Sequence, residues 1–391
     1  MGPPQRDPSA TPRSPSGDLT PPVSGARVST NTLDIQCNAP GIRYAGYTIR
    51  RIPTQPSSLL PPVDHPDLPS IDSRPMTSEF SQPPATPTNA ATVNVFMTPE
   101  SSASHGDDSP TVVLPMQLVS LDDAGRTDVG QQRTQNEDEF VIQTQVHRVE
   151  NPQGRTIEAR GLYILCDGMG GHAAGEVASA KAANYLKQFF ERQPSNQLPS
   201  EATIREAILG ANQDLYEANQ SNDSYGSGRM GTTLVMMMLY NTHAVIAHVG
   251  DSRIYRYTRK KGLELLTLDH ELGQLEIQRG VDPEVAYAMP DAYQLTQALG
   301  PRDNDCVEPD IAFLEIHEDS LFLLCSDGLS DNDLLEESEE THIKPLISSM
   351  SNLDAGVVDL IDLANECNGH DNITVIAVRA KVKPNMASLT A

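Results

Sequence analysis

The stretch GLYILCDGMGGH at residues 161–172 joins a run of apolar residues to an aspartate and a cluster of glycines. Its first part, 161–167, is rich in long and branched apolar side chains and ends at Asp167, which predicts a buried strand. The glycines beyond it let the chain turn tightly, and no Lys-Ser/Thr pair follows them as in a P-loop. The segment therefore predicts a carboxylate held at the edge of a sheet.

Further segments with strand character lie on both sides of this stretch. They are bounded by Gly, Asp, Asn or Pro and comprise residues 140–146, 232–240, 243–251, 253–258, 321–327 and 372–380. Residues 176–193 and 201–220 instead carry apolar side chains at helical spacing. Strands in succession with two long helices inserted predict an α+β fold, in which packed sheets are covered by helices.

Proline and charge mark a boundary near residue 115. Of the 30 prolines, 21 fall in residues 1–115, a segment that carries only −3 of the total charge of −25. A Pro/Ser/Thr-rich segment with few large apolar side chains buries too little surface to offset its ordering entropy. We therefore predict a largely disordered tail over 1–115, a globular domain over 116–383 and a short C-terminal tail over 384–391.

The composition excludes several classes of function. A chain with a pI of 4.6 and a charge of −25 is not expected to bind nucleic acid or anionic membrane surfaces. No apolar run reaches the ~18 residues of a membrane span, and the N-terminus lacks the apolar core of a secretory signal. Five scattered cysteines without a CxxC pair argue against a zinc ribbon or a disulfide framework. A reducing, cytoplasmic location is expected.

Acidic residues recur where the predicted strands begin or end. These positions are Glu137, Asp138, Asp167, Asp251, Asp327 and Asp371. A single Asp-Gly is more often a turn than a ligand, but several carboxylates at one sheet edge are costly unless cations neutralise them. Oxygen ligands without His or Cys partners favour Mg²⁺ or Mn²⁺ over Zn²⁺. The pattern therefore predicts a magnesium or manganese centre.

Seven motifs, in order along residues 116–383, resemble those of the metal-dependent protein phosphatases, the PPM or type-2C serine/threonine phosphatase family. They are RTDVGQQRTQNEDEF (126–140), LCDGMGGH (165–172), GTT (231–233), VGDSR (249–253), LTQALG (295–300), CSDGLSDND (325–333) and GHDNITV (369–375). The resemblance is to bacterial members, cyanobacterial ones in particular. It implies a central sandwich of two antiparallel β-sheets flanked by helices on both sides, an α/β/β/α arrangement with a flap at about 268–297. It also implies a monomer that acts on phosphorylated proteins.

The resemblance assigns two tightly bound ions, Mn²⁺ or Mg²⁺, to these carboxylates. Asp167 would bridge the two ions, and the backbone carbonyl of Gly168 would bind one of them. Asp327 and Asp371 would bind the first ion. Asp167 and Asp327 are accordingly expected to be catalytic.

The remaining roles that the resemblance implies surround this pair. Glu137 would hold the second ion, partly through water, and Asp138 would support the pair as a ligand or from behind the ligands. Asp251 and Asp331, together with Asp327, match a third and weaker metal position. Arg133 would bind the substrate phosphate and so act in catalysis.

This set of residues implies hydrolysis of phosphoserine and phosphothreonine. A phosphate monoester is anionic, and two divalent ions can both neutralise it and activate a water for in-line attack. The planar guanidinium of Arg133 offers paired hydrogen bonds to phosphate. Two alternatives stay open: a catalytically inactive scaffold that binds phosphoproteins, which loss of a metal ligand would have indicated, and a phosphatase of small phosphate esters.

The sequence departs from the family pattern in two places. Met169 stands where eukaryotic members carry a histidine proposed as the general acid, so the proton donor to the leaving group is unassigned. Met289 stands where bacterial members often carry a flap histidine. His270, at the entrance of the flap, is expected to make a structural hydrogen bond, and Cys166 and Cys325 are expected to be core residues rather than nucleophiles.

Overall fold

The computed structural model describes residues 114–151, 154–170, 174–194, 196–221 and 229–386. The predicted tail lies outside the described residues except for positions 114 and 115, and so do residues 387–391 of the predicted C-terminal tail. The first strand begins at Met116 and the last ends at Pro384. The proposed domain boundaries stay predictions.

Eleven strands and seven α-helices follow one another in the described part of the chain. The strands are β1 Met116–Asp128, β2 Asp138–Asn151, β3 Gly154–Met169, β4 Gly231–Thr232, β5 Leu234–Tyr240, β6 His243–Val249, β7 Arg253–Thr258, β8 Gly262–Leu265, β9 Asp310–Glu315, β10 Ser320–Cys325 and β11 Ile373–Pro384. The helices are α1 Ala174–Glu191, α2 Glu201–Ser221, α3 Leu272–Gln278, α4 Pro283–Tyr287, α5 Asp327–Ser330, α6 Leu334–Glu337 and α7 Leu353–Cys367.

The strands form two antiparallel sheets. One sheet has the order β1-β11-β10-β7-β8, and the other has the order β2-β3-β5-β6-β9 with β4 paired to the end of β3. Every strand pair in both sheets is antiparallel. This arrangement confirms the predicted sandwich.

Alternation along the central strands builds three apolar layers. In β3, Tyr163 and Leu165 face the core between the sheets, whereas Ile164 and Cys166 face the core under helices α1 and α2. Strand β10 alternates in the same way and packs its other face beneath α7. Successive side chains of a strand point to opposite faces, so both faces of these strands are apolar and buried. Each fully buried large apolar side chain contributes about 1.5–3 kcal/mol.

The predicted strands and helices are present, and the structure adds elements that the sequence did not indicate. Strand β1, edge strand β9, the short β8 and helix α7 were not predicted. Cys166 and Cys325 are fully buried free thiols in the core, as expected. In the part of the chain that the structure describes, no helix is long and apolar enough to cross a membrane.

Candidate metal centre

Carboxylates from both sheets meet at one end of the sandwich. Asp138 begins β2 and lies directly opposite Asp167, near the end of β3. Asp327 opens α5 just after β10, and Asp371 lies just before β11. Asp251 follows β6 in the tight turn that leads to β7. The strand ends therefore bring together residues that lie more than 230 positions apart in the sequence.

The carboxylates share a partly buried site, and their burial and mutual repulsion raise their pKa values. Burial raises the pKa of Asp138 to about 6 and that of Asp251 to about 6. Burial also raises the pKa of Asp167 well above its ordinary value, and repulsion from Asp138, Asp327, Asp251 and Asp371 raises it further. The pKa of Asp327 is raised well above its ordinary value for the same two reasons. Positive charge would relieve this repulsion.

A chain of hydrogen bonds with a single direction ends on Asp138. Its Oδ2 atom accepts from the hydroxyl groups of Ser326 at 2.8 Å and Thr374 at 2.6 Å. Because the Thr374 hydroxyl donates to Asp138, it accepts from Thr127 at 2.7 Å, and Thr127 in turn accepts from the amide of Asn136 at 2.8 Å. These donors favour the charged carboxylate and fix its orientation.

Two carboxylate oxygens behind this cluster have no hydrogen-bond partner among the described residues. They are Oδ1 of Asp138 and Oδ1 of Asp327, and both atoms are buried. A buried carboxylate oxygen without a partner is costly, and divalent cations that prefer oxygen ligands would satisfy it. The donor set therefore fits Mn²⁺ or Mg²⁺. Asp167 and Asp327 each experience repulsion from four other aspartates of this cluster.

Glycines let the backbone close around Glu137. The amide of Gly168 donates to the carbonyl oxygen of Glu137 at 3.1 Å, and a Cβ at Gly168 would lie 2.1 Å from the carbonyl oxygen of Gly175. A Cβ at Gly175 would lie 2.6 Å from Oε1 of Glu137. Residues with side chains would clash at both positions. The sequence had indicated Gly168 but not Gly175, which lies just before the predicted helix over 176–193 and inside the observed helix α1.

Arg133 lies at the mouth of the site, with 46% of its side chain exposed. Its guanidinium forms an ion pair with Asp371 and approaches Oε2 of Glu137 at 3.8 Å. A half-exposed arginine whose charge is directed at the carboxylate cluster can exchange these contacts for those of an anionic phosphate.

Asn372 holds the loop that carries Arg133. Its side-chain amide donates to the carbonyl oxygens of Val129 and Gln135, both at 2.9 Å, and its Oδ1 accepts from the amide of Glu137 at 2.8 Å. Sequence reasoning assigned no role to Asn372. Its position directly after Asp371, in a motif of the family, was the available signal.

Asp331 and His370 form the outer rim of the cluster. Nε2 of His370 lies 3.1 Å from Oδ2 of Asp331. Burial raises the pKa of Asp331, whereas the charge and the hydrogen bond of the nearby His370 lower it. The residues after it, Asn332 and Asp333, have φ angles of 59° and 55°, which allow the tight turn from α5 towards α6. His370 was not singled out from the sequence.

Met169 lies at the other side of the site, opposite Gly231 in the pairing of β3 with β4. It lines a groove with Leu295, at the end of the flap, and with Pro301, Arg302 and other residues just beyond it. Its apolar thioether has no proton to donate, so the position next to Gly168 offers no proton donor. Met289, the second departure, lies just after α4 within the flap.

Comparison with known proteins shows similarity over about two-thirds of the chain. A family model described as protein phosphatase 2C matches residues 153–359. Protein phosphatase PhpP of Streptococcus pneumoniae is 34% identical over 257 residues, which cover 64% of this chain and 94% of PhpP. The structure of the S. agalactiae serine/threonine phosphatase is 32% identical with a TM-score of 0.53, over 66% of this chain and 99% of that chain. The catalytic domain of the phosphatase PstP, solved with two manganese ions, is 30% identical with a TM-score of 0.51, over 68% of this chain and 99% of that domain.

Proposed function

The chain belongs to the protein phosphatase 2C family, and we infer from this that it is a serine/threonine protein phosphatase that uses Mn²⁺ or Mg²⁺. Its reaction is the hydrolysis of phosphoserine and phosphothreonine in phosphoproteins. The observation that carries this function is the carboxylate cluster between the ends of the two sheets, with buried, unpartnered oxygens on Asp138 and Asp327. Divalent ions bound there supply positive charge to the phosphate and lower the pKa of an attacking water.

We propose that Asp167, Gly168, Asp327 and Asp371 hold the ions directly. Burial and repulsion from Asp138, Asp327, Asp251 and Asp371 raise the pKa of Asp167, so its charged form depends on the cations. Its backbone is fixed because its carbonyl oxygen accepts from the hydroxyl of Thr232 and from the backbone amide of Thr233, each at 2.8 Å. A ligand held this firmly does not have to reorganise during the reaction.

Glu137 and Asp138 complete the arrangement on the side of β2. We propose that Glu137 binds the second ion, partly through water, and that Asp138 supports the pair with its unpartnered oxygen. The ordered hydroxyl donors on the other oxygen of Asp138 keep that carboxylate from rotating away. Asp251 and Asp331, beside Asp327, are proposed to form a third and weaker cation site.

Arg133 is proposed to bind the phosphate of the substrate. Its guanidinium presents parallel N–H donors to two phosphate oxygens and brings positive charge to an acidic site. Binding of this kind orients the phosphorus atom for in-line attack. The group that protonates the leaving alkoxide is not Met169, which has no proton to donate.

The domain limits and cellular setting are proposals as well. We propose that residues 116–383 carry catalysis as a monomer and that the tail over 1–115 is not required for it. A cytoplasmic location is supported by the cysteines, since Cys166 and Cys325 are buried as free thiols.

The function is tested with p-nitrophenyl phosphate and a phosphothreonine peptide. Turnover of both is expected only with added Mn²⁺ or Mg²⁺, because the oxygen-only donor set depends on these ions. The control is the same preparation in excess EDTA, followed by addition of each ion in turn. Full turnover in EDTA, or recovery with Zn²⁺ alone, would contradict the proposed function.

A further inference from the structure

A second cluster of side chains that can bind protons or metals lies beside the carboxylate site, at the entrance of the flap. It consists of His248, His270 and Asp310, whose nearest ligand atoms all lie within 4.8 Å of one another. His248 and Asp310 lie directly opposite each other in strands β6 and β9. The rings of His248 and His270 stack with their centres 4.6 Å apart. Such a cluster either binds a cation or positions the backbone around it.

The hydrogen bonds of the two rings distinguish these possibilities. The amide of Gly250 donates to Nδ1 of His270 at 3.2 Å, so Nδ1 carries the lone pair and the proton is on Nε2, which lies 3.4 Å from Oδ2 of Asp310. Nε2 of His248 lies 2.8 Å from the carbonyl oxygen of Leu268 and therefore donates. A neutral imidazole has one lone pair, and in His270 it is already used. A cation held by both rings would have to displace the amide of Gly250. The hydrogen-bond partners of the rings therefore favour a role for His270 in positioning the backbone.

The residue that His270 positions is Gly250, next to Asp251. His270 binds both sides of this residue, because its ring accepts from the Gly250 amide and its own amide donates to the Gly250 carbonyl oxygen at 2.9 Å. Gly250 has a φ of +110°, and a Cβ there would lie 2.7 Å from Cβ of Thr233. The turn that presents Asp251 therefore needs a glycine, which has no side chain to hold it in place. His270 supplies that support.

His270 also joins the two ends of the flap. Its carbonyl oxygen accepts from the amide of Thr296 at 2.7 Å and from the Thr296 hydroxyl at 2.9 Å. The next residue, Glu271, pairs with Leu295 in an isolated bridge. One residue thus connects the chain entering the flap, the chain leaving it and the turn before Asp251.

We propose that His270 is a positioning residue that sets the geometry of Asp251 at the metal centre, with Asp310 fixing the tautomer of its ring. The proposal rests on the proposed function, since it concerns a residue assigned to the third cation site. Partners behind metal ligands typically change metal affinity or activity by about 10–100-fold when they are removed.

The test compares two substitutions that place an acceptor differently. In His270→Asn, Oδ1 takes the position of Nδ1 and can still accept from Gly250. In His270→Gln, the amide reaches the position of Nε2 and leaves the Gly250 amide without a partner. We expect the Asn variant to stay near wild type. For the Gln variant we expect a roughly tenfold lower kcat and a higher Mn²⁺ concentration at half-maximal rate, with a smaller change in KM.

The controls separate positioning from stability. His243→Asn, at an exposed position of β6, should leave every parameter unchanged. Thermal unfolding shows whether the Asn and Gln variants are equally folded. Equal loss of activity in both variants, or no loss in either, would overturn the proposal. An inactive wild-type enzyme would instead contradict the proposed function.

A second pair of variants covers the case in which His270→Gln fails to fold. Asp310 has 43% of its side chain exposed, so replacements there should be tolerated. Asp310→Asn retains an acceptor for the His270 Nε2–H and should behave as wild type, whereas Asp310→Leu should require several-fold more Mn²⁺. Wild-type metal dependence in Asp310→Leu would overturn the role of the tautomer. A tight one-to-one Zn²⁺ site in the Mg²⁺-loaded protein, seen by calorimetry and lost in Asp310→Asn, would show that the cluster is a cation site instead.

Discussion

Removal of the cations should make the stability of the protein fall as the pH rises, and Asp138 should be one of several carboxylates that cause this fall. This carboxylate is buried, and its pKa is raised from 3.8 to about 6, chiefly by burial. The folded protein therefore binds a proton at Asp138 over a range in which the unfolded chain has already released it. Asp138 favours the folded state fully below pH 3.8, and this contribution is lost as the pH rises through about 6.

The size of this loss of stability follows from the difference between the pKa of Asp138 in the folded protein and its pKa in the unfolded chain. A rise of one pKa unit is worth about 1.36 kcal/mol, so a rise in the pKa of Asp138 from 3.8 to about 6 corresponds to about 3 kcal/mol of unfolding free energy. For a domain of this size, that is a decrease of roughly 5–10 °C in the unfolding temperature. Mn²⁺ binds the charged carboxylates, so it should stabilise the protein more at about pH 8 than at about pH 5.

The assay is thermal unfolding of the protein in EDTA and in Mn²⁺ across this pH range. Asp138→Asn keeps an acceptor for Ser326 and Thr374 but carries no charge, so its unfolding temperature in EDTA should fall less with rising pH than that of wild type, while Asp167, Asp251 and Asp327 keep their share of the decrease. The matched control is Asp359→Asn, at an exposed position of α7, which should follow wild type. Parallel curves for wild type and Asp138→Asn in EDTA would refute the reasoning, as would an equal gain from Mn²⁺ at both pH values.

Four substitutions and one truncation test the remaining assignments. Asp167→Ala should abolish turnover of both substrates without unfolding the protein, as measured by initial rates and circular dichroism; retained turnover would exclude Asp167 as a central ligand. Arg133→Ala should raise KM about tenfold or more with a smaller change in kcat, and an unchanged KM would show that it does not bind phosphate. Asp251→Ala and Asp331→Ala should each lower the rate while calorimetry still detects the two tight ions, and loss of those ions would place these residues in the central pair. A chain that begins near residue 113 should retain turnover of p-nitrophenyl phosphate, and an insoluble or inactive product would make the tail part of the domain.

The central strands could be predicted because both of their faces are buried. Strands β3, β5 and β10 read as continuous apolar runs, since one face packs on the other sheet and the opposite face packs under helices. Strand β1 lies at a sheet edge and mixes buried, partly buried and exposed positions, including Asp122 and Asp123, so its sequence has no such run. Edge strand β9 also has exposed positions, among them Phe313. Helix α7 does carry buried residues at helical spacing, such as Val357, Leu360 and Ile361, so the apolar pattern of this segment is that of a helix packed on a sheet.

The carboxylates of the site could be indicated from the sequence because each lies in a short local motif. The residues that donate hydrogen bonds to these carboxylates could not be indicated from the sequence, because their roles depend on strand pairing. Thr127 and Thr374 face each other only through the register of β1 with β11, and Ser326 joins them because β10 is the next strand in the same sheet. A threonine or serine in a strand has no local feature that marks it as the donor to a distant aspartate. His270 was expected to make a structural hydrogen bond, which it does, but its partner Gly250 was not foreseen.

Stability and function make opposite demands on the same end of this sandwich. A site for divalent ions needs several carboxylates close together, and their burial and repulsion raise the pKa values of Asp138, Asp167 and Asp327. Left to relax, such side chains would turn towards solvent. Here β-strand pairing fixes the backbone of Asp138 and Asp167, and hydroxyl donors fix the side chain of Asp138. The three apolar layers behind the strand ends provide the stability that this frame requires, because the carboxylates themselves provide little until cations bind. It follows that substitutions which relieve the repulsion should stabilise the metal-free protein while they impair catalysis.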